Sequence, residues 1–193
     1  MTSQPLQQLE ELNRLLLQMA SQSEEMLEKS LDALLSQNVT RAKVVAARDN
    51  EVDALELTVD AHIFNLLTQH RLDAESLRLI LSAQKINNDL KRVADHAVNI
   101  AEAAVALSDA PHITTLVIIP HMSAIARSML KEAIDSFVYR DSTLAHDVIH
   151  RDDEVDALYL SAKEKLESLV QENPVNVHTG HCTCSPSRRI WSG

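Results

Sequence analysis

Hydrophobic residues recur along most of this chain at intervals of three, four and seven positions, the spacing of amphipathic helices. The first stripe predicts a helix from about Pro5 to Ser36, with the proline in the first turn, where its missing N–H costs little. The polar segment 37–42 is expected to interrupt the helical pattern. A second stripe then predicts another helix that ends near His70.

The third predicted helix has the most regular pattern and is expected to begin after Asp73, a candidate N-cap. Its apolar positions alternate spacings of three and four, as in the seam of a packed bundle. They are Leu90, Val93, Ala97, Ile100, Ala104 and Leu107. Three long helices with short connections predict an antiparallel three-helix bundle.

Two further helices are predicted after the proline-containing segment 108–112. One spans roughly 113–140, and Pro120 should either kink it or mark its true start. The other runs from about Leu144 to Glu172 and ends before Asn173 and Pro174. Together they resemble two thirds of a second three-helix bundle.

An internal repeat supports this interpretation. A shift of 103 residues places RDNEVDALEL (48–57) on RDDEVDALYL (151–160), with eight of ten residues identical. We therefore predict an all-α protein of tandem three-helix bundles, the second lacking its third helix. The predicted boundaries are 5–108 for the first bundle, 112–173 for the incomplete second bundle and 174–193 for an irregular tail.

Composition narrows the function classes. A formal net charge of −10 argues against a nucleic-acid-binding protein, because phosphate contacts require Lys and Arg, and it favours cations or basic protein surfaces as partners. The sequence contains neither a long apolar run nor a signal pattern, so we expect a cytoplasmic protein that reaches membranes only through partners. Residues 1–179 contain no glycine, which excludes a glycine-rich phosphate loop, and we expect no enzymatic activity.

The repeated segment places two carboxylates four residues apart on one helix face in each copy. The first copy has Asp49 and Asp53, and the second has Asp152 and Asp156. Such pairs either lie in solvent or bind a hard or borderline cation such as Mg²⁺, Mn²⁺ or iron. The polar stripe of the third predicted helix adds further candidates, of which Asp95, Asn99 and Glu102 share a face.

The last residues differ from the rest of the chain and hold both cysteines, Cys182 and Cys184. We expect no zinc there, because the Cys-x-Cys spacing is too tight and no second pair completes a site. Permitted codons for 180–193, read in the neighbouring frame, spell ALHLLAVAEDLER, which resembles the helix that the second copy lacks. We therefore expect the tail from about 178–180 onward to be the product of a frameshift.

The strings RDNEVDAL (48–55) and NNDLKRVADHAVNIAE (87–102), within a duplicated bundle, resemble the PhoU family of phosphate-uptake regulators over about residues 5–172. The resemblance implies a homodimeric negative regulator of phosphate uptake. It implies two partners, the ATPase subunit of the phosphate ABC transporter and a PhoR-type sensor histidine kinase.

The family's E/D-x-x-x-D metal signature maps onto Asp49 with Asp53 and onto Asp152 with Asp156. The resemblance also implies a Glu four residues before Asp95, where this chain has Lys91. This departure leaves Asp95 without the family's usual partner.

Two alternatives come from other classes. A ferritin-like di-metal bundle would need Glu-x-x-His motifs projecting into its core, and the nearest approach here is Asp147-x-x-His150. The second alternative is a helical scaffold that binds no metal.

Overall fold

The computed structural model describes residues 3–109 and 118–172, and every regular element within these ranges is an α-helix. The predicted all-α class is confirmed. No helix in the described ranges is both long enough and apolar enough to cross a bilayer. The six helices are α1 (Ser3–Leu35), α2 (Val39–Ala47), α3 (Asp49–Gln69), α4 (Ala74–Ala106), α5 (Ile118–Tyr139) and α6 (Ser142–Glu172).

The first bundle consists of α1, α4 and the consecutive helices α2 and α3. Its core is most extensive between α1 and α4, whose apolar stripes face each other. The largest fully buried apolar side chains are Leu12, Leu16, Met19, Met26, Val45, Val52, Val59, Leu66, Ile80 and Leu90. All of these positions except Ile80 belong to the predicted stripes, so periodicity alone identified most of this core.

The predicted second helix is divided at Arg48. This residue ends α2 and precedes α3 with φ −83° and ψ −7°, a conformation close to helical. The helix also begins earlier than predicted, because the Asn38 side chain accepts a hydrogen bond from the Arg41 N–H and caps α2. Asp73 caps α4 as predicted, accepting from the Ser76 N–H at 2.8 Å.

The duplication is visible in the backbone as well as in the sequence. Gln37 and Arg140, which are 103 positions apart, both have positive φ, 49° and 55°, after α1 and α5. The following residues repeat the same hydrogen bond, from the Asn38 N–H to the Ala33 carbonyl and from the Asp141 N–H to the Ser136 carbonyl, each 2.9 Å. Both helices thus end in the same left-handed turn.

The second unit packs on the first through α5. Leu130 and Ile134 belong to the same core cluster as Met26 and Leu90. Arg127 adds ion pairs to Glu24 (3.5 Å) and Glu28 (3.1 Å) of α1. Helix α6 packs mainly against α5.

The ends of the second unit can be compared with the prediction only in part. Pro120 lies in the first described turn of α5. The predicted residues 113–117 lie outside the described part of the chain, so a start or a kink at Pro120 stays a prediction. Helix α6 starts two residues before the predicted Leu144. The expected tail at 174–193, with its cysteines and frameshift, lies outside the described residues.

Candidate functional site

Three of the predicted site residues lie around one ammonium group. Lys91 of α4 places its Nζ 2.8 Å from an Asp49 Oδ1, 2.7 Å from an Asp53 Oδ1 and 2.5 Å from an Asp95 Oδ1. Two of these carboxylates come from α3 and one from α4, so Lys91 ties the two helices together. We call these four residues the Lys91 cluster.

The helices position this cluster through simple periodicity. Asp49 and Asp53 are one turn apart on α3, beside Val52, which packs into the core. Lys91 and Asp95 are likewise one turn apart on α4, beside the buried Leu90 and Ala94. The apolar contacts that join α3 to α4 therefore bring the two polar pairs face to face.

The Lys91 cluster adds to one sequence-based expectation. We expected Lys91 to leave Asp95 without the Glu that usually accompanies it in the family, and the structure shows that Lys91 itself pairs with Asp95. The i, i+4 spacing of these two residues was sufficient to predict their ion pair. The contacts of Lys91 with Asp49 and Asp53 depend on how α3 packs against α4. No local sequence pattern predicts the distance between these side chains.

Electrostatics keep Lys91 charged. Partial burial of its ammonium acts to lower the pKa, but the hydrogen bonds to Asp49, Asp53 and Asp95 outweigh burial and raise the pKa of Lys91 well above its ordinary value. Nearby, burial raises the pKa of Glu56, and repulsion from Asp60 raises it further. The side of the bundle where α3 meets α4 therefore carries one fixed positive charge, that of Lys91, and several carboxylates lie close to it.

The rest of the polar stripe of α4 is more exposed. Asn99 and Glu102 are exposed, so they do not join the buried side of the Lys91 cluster. His96 is half-buried, and its burial lowers the pKa of the imidazole, with a further contribution from Arg92. We predicted that Asp95, Asn99 and Glu102 share one helix face. All three lie on α4, and their side chains are at the surface.

In the second copy the carboxylate pair lies in a different setting. Asp152 is half-buried and Asp156 is exposed, both on α6. The preceding Arg151 pairs with both oxygens of Glu132 at 2.7 Å, and this contact, followed by the one from Ser128, lowers the pKa of Glu132. The first copy has a related contact, from Arg48 to Glu25 at 2.8 Å.

The geometry can be tested for its fit to a metal ion. Within residues 3–109 and 118–172, no three His, Cys, Asp or Glu side chains come together in a way that could hold one. In the Lys91 cluster the carboxylate oxygens instead converge on an ammonium nitrogen. Because this group is itself a cation, the cluster fits a divalent metal ion poorly. Cation binding by Asp152 and Asp156 stays a prediction.

The ferritin-like alternative requires carboxylates in the core. In the described part of the chain, the buried polar side chains are instead Ser23, Ser30, Ser76 and Asn87. Asp147 and His150, the nearest approach to the required motif, are both exposed on α6. The described core therefore contains no site of the ferritin type.

Comparisons with known proteins agree with this architecture. A family model described as PhoU domain matches residues 16–104 and again 119–183. The chain is 35% identical over 170 residues to the phosphate-specific transport system accessory protein PhoU homolog of Aquifex aeolicus, covering 88% of this chain and 77% of that protein. The homolog of Clostridium acetobutylicum is 33% identical over 171 residues, covering 88% of this chain and 78% of its own length.

Solved structures show the same fold. The crystal structure of PhoU from Pseudomonas aeruginosa superposes with a TM-score of 0.87 at 27% identity, covering 91% of this chain and 84% of that one. The phosphate transport system regulatory protein PhoU from Streptococcus pneumoniae superposes with a TM-score of 0.79 at 22% identity, covering 86% and 78%, and it supports the fold alone. From the two family matches, the duplicated helical architecture and these relatives, we conclude that the chain belongs to the PhoU family.

Proposed function

We propose that this protein is a non-enzymatic accessory regulator of phosphate transport that represses phosphate uptake and the phosphate-starvation response. The observation that carries the proposal is the repeated match to the PhoU domain, in a chain whose first repeat is a complete helical bundle. The relatives named above are accessory proteins of phosphate-specific transport systems.

The finer part of the proposal concerns partners. The protein acts in the cytoplasm as a homodimeric adaptor between the ATPase subunit of the phosphate ABC transporter and a PhoR-type sensor histidine kinase. An acidic surface supports this role, because a net charge of −10 favours basic protein surfaces over nucleic acids. The extensive helical faces provide area for such contacts.

A phosphate-starvation reporter tests the regulatory role. In a bacterial strain whose own PhoU gene is deleted, the reporter should be active even when phosphate is abundant, and expression of this chain should restore repression. The matched control is Met19→Asp, which places a charge in the fully buried core of the first bundle and should abolish repression together with folding. An active reporter in the presence of soluble, helical wild-type protein would contradict the proposal.

The partners are tested separately by affinity purification from the same strain. The tagged chain should retain the transporter ATPase and the sensor kinase, each tested with the other gene deleted. Retention of one partner alone would exclude the adaptor role and leave repression through that partner. Size-exclusion chromatography with light scattering would report the expected dimer.

A further inference from the structure

The Lys91 side chain is less exposed than the carboxylate side chains that surround its ammonium group. The Lys91 side chain is 16% exposed, whereas those of Asp49, Asp53 and Asp95 are 33%, 45% and 50% exposed. The Lys91 side chain therefore lies between α3 and α4, and its ammonium is held among three carboxylates that are more exposed.

The three contacts are also short and convergent. One nitrogen lies 2.5–2.8 Å from one oxygen of each carboxylate; it donates hydrogen bonds to Asp49 and Asp95 and forms an ion pair with Asp53. A divalent ion bound by the same oxygens would lie about 2.0–2.6 Å from them, which is nearly the volume that the nitrogen fills. The two cations exclude each other by overlap and by like-charge repulsion.

We infer that Lys91 serves as a tethered cation on the first repeat, doing covalently what a bound metal ion would do for this set of carboxylates. Asp49, Asp53 and Asp95 are ligands of the ammonium, and this face takes up no divalent cation. The first repeat holds α3 against α4 without depending on metal supply. The inference does not rest on the proposed regulatory function.

Substitutions of Lys91 should change cation binding in a specific way. Lys91→Glu removes the tethered cation and adds a fourth carboxylate at the same place, within reach of two helices. Such a set of oxygens is what Mg²⁺ or Mn²⁺ prefers, so the variant should gain a cation site that the wild type lacks. The neutral Lys91→Gln removes only the cation and leaves three carboxylates without their shared partner.

The first experiment is a Mn²⁺ titration followed by electron paramagnetic resonance, using the full chain. Asp152→Asn and Asp156→Asn are introduced throughout, so that the second carboxylate pair does not contribute. In this background, adding Asp49→Asn and Asp53→Asn should leave the Mn²⁺ isotherm unchanged. Lys91→Glu should bind one additional Mn²⁺ at least about tenfold more tightly than the background.

The matched control for the gained site is Lys91→Glu combined with Asp53→Asn, which should lose most of the added binding. Two results would overturn the inference. One is Mn²⁺ binding in the background that disappears with Asp49→Asn and Asp53→Asn. The other is a folded Lys91→Glu variant that gains no site.

Thermal unfolding of Lys91→Gln keeps the inference testable if the charge-reversed variant fails to fold. The midpoint of unfolding of the background should not respond to millimolar Mn²⁺, whereas that of Lys91→Gln should rise, because the ion replaces the missing ammonium. An equal response of both proteins would contradict a tethered cation at Lys91.

Discussion

Asn87 shows how a single buried polar residue determines the packing of α4 against α3. It is fully buried, and its Nδ2 donates to the Asp60 carboxylate at 2.8 Å and to the Glu56 carbonyl at 3.2 Å. Gln84 donates to the same carboxylate at 2.8 Å. Because a buried amide N–H that loses its acceptors is costly, these contacts of the Asn87 Nδ2 favour one register between the two helices.

We predict that Asn87→Asp destabilises the protein by about 2–4 kcal/mol at pH 7, because it turns a donor into a second carboxylate facing Asp60. The loss should shrink as the pH falls and the carboxyl groups take up protons. Urea unfolding at pH 7 and pH 4 measures both values. The control is Asn88→Asp at the exposed neighbouring position, for which we expect little change at either pH. Equal effects of the two substitutions would exclude this account of Asn87.

Substitution of Glu56 should stabilise the protein, in contrast to Asn87→Asp. Burial, followed by repulsion from Asp60, raises its folded-state pKa above the value in the unfolded chain. The wild type therefore loses stability as the pH rises through the folded pKa, since ionisation is harder in the folded state. Glu56→Gln should raise the free energy of unfolding at pH 7 by roughly a few tenths of a kcal/mol, because solvent screens a partly exposed group. Below pH 4 the gain should vanish, and a gain that persists there would have another cause.

At the residue scale, the sequence identified the members of the Lys91 cluster without identifying their arrangement. The spacing of Asp49 with Asp53 and of Lys91 with Asp95 placed each pair on one helix face. Whether the two faces meet depends on the rotation and depth of α4 against α3, which the core residues determine. Lys91 was therefore interpreted as a lost ligand, although it is the centre of the cluster.

At the scale of elements, the helix ends are where prediction and structure differ most. The break at Arg48 has no glycine or proline signal, and its backbone stays close to helical, so the hydrophobic stripe passes through it from Val45 to Val52. The hydrophobic period indicates which helix face is buried. It does not reveal a break such as the one at Arg48, because the buried face continues in the same direction on both sides of the break. At Asn38 and Asp73, in contrast, the capping side chain determines where α2 and α4 begin.

The left-handed residue after α5 provides a prediction for an element end. Arg140 has a φ of 55°, a conformation that costs a residue with a Cβ about 1 kcal/mol and that glycine adopts readily. Its ion pair with Glu75 joins two exposed side chains and is worth little. Arg140→Gly should therefore raise the free energy of unfolding by about 0.5–1 kcal/mol, as measured by urea denaturation.

The matched control is Arg140→Ala, which removes the same ion pair and keeps the Cβ. It should be neutral or slightly destabilising. If both substitutions stabilised the protein equally, relief of backbone strain would not be the reason. The equivalent Gln37 is a poorer test, because its side chain donates to the Leu107 carbonyl at 3.2 Å.

At the scale of the whole molecule, the two repeats have the same helical plan with unequal burial. Val52 and Val59 of α3 are fully buried, and their counterparts Val155 and Ala162 of α6 are only half-buried. Among the described side chains of α6, Val148 alone is buried. In the first repeat α4 covers this face, and within the described residues no helix takes the corresponding place on α6.

This difference predicts unequal protection from hydrogen exchange. Amides of α4 should exchange only through global unfolding, because their helix lies between α1 and α3. Amides of α6 should exchange at least about tenfold faster, since opening this helix breaks contacts mainly with α5. Helix α5 should be intermediate, because Leu130 and Ile134 remain packed in the first core. Mass spectrometry of exchanged peptides measures all three, and uniform protection would mean that the two repeats unfold as one unit.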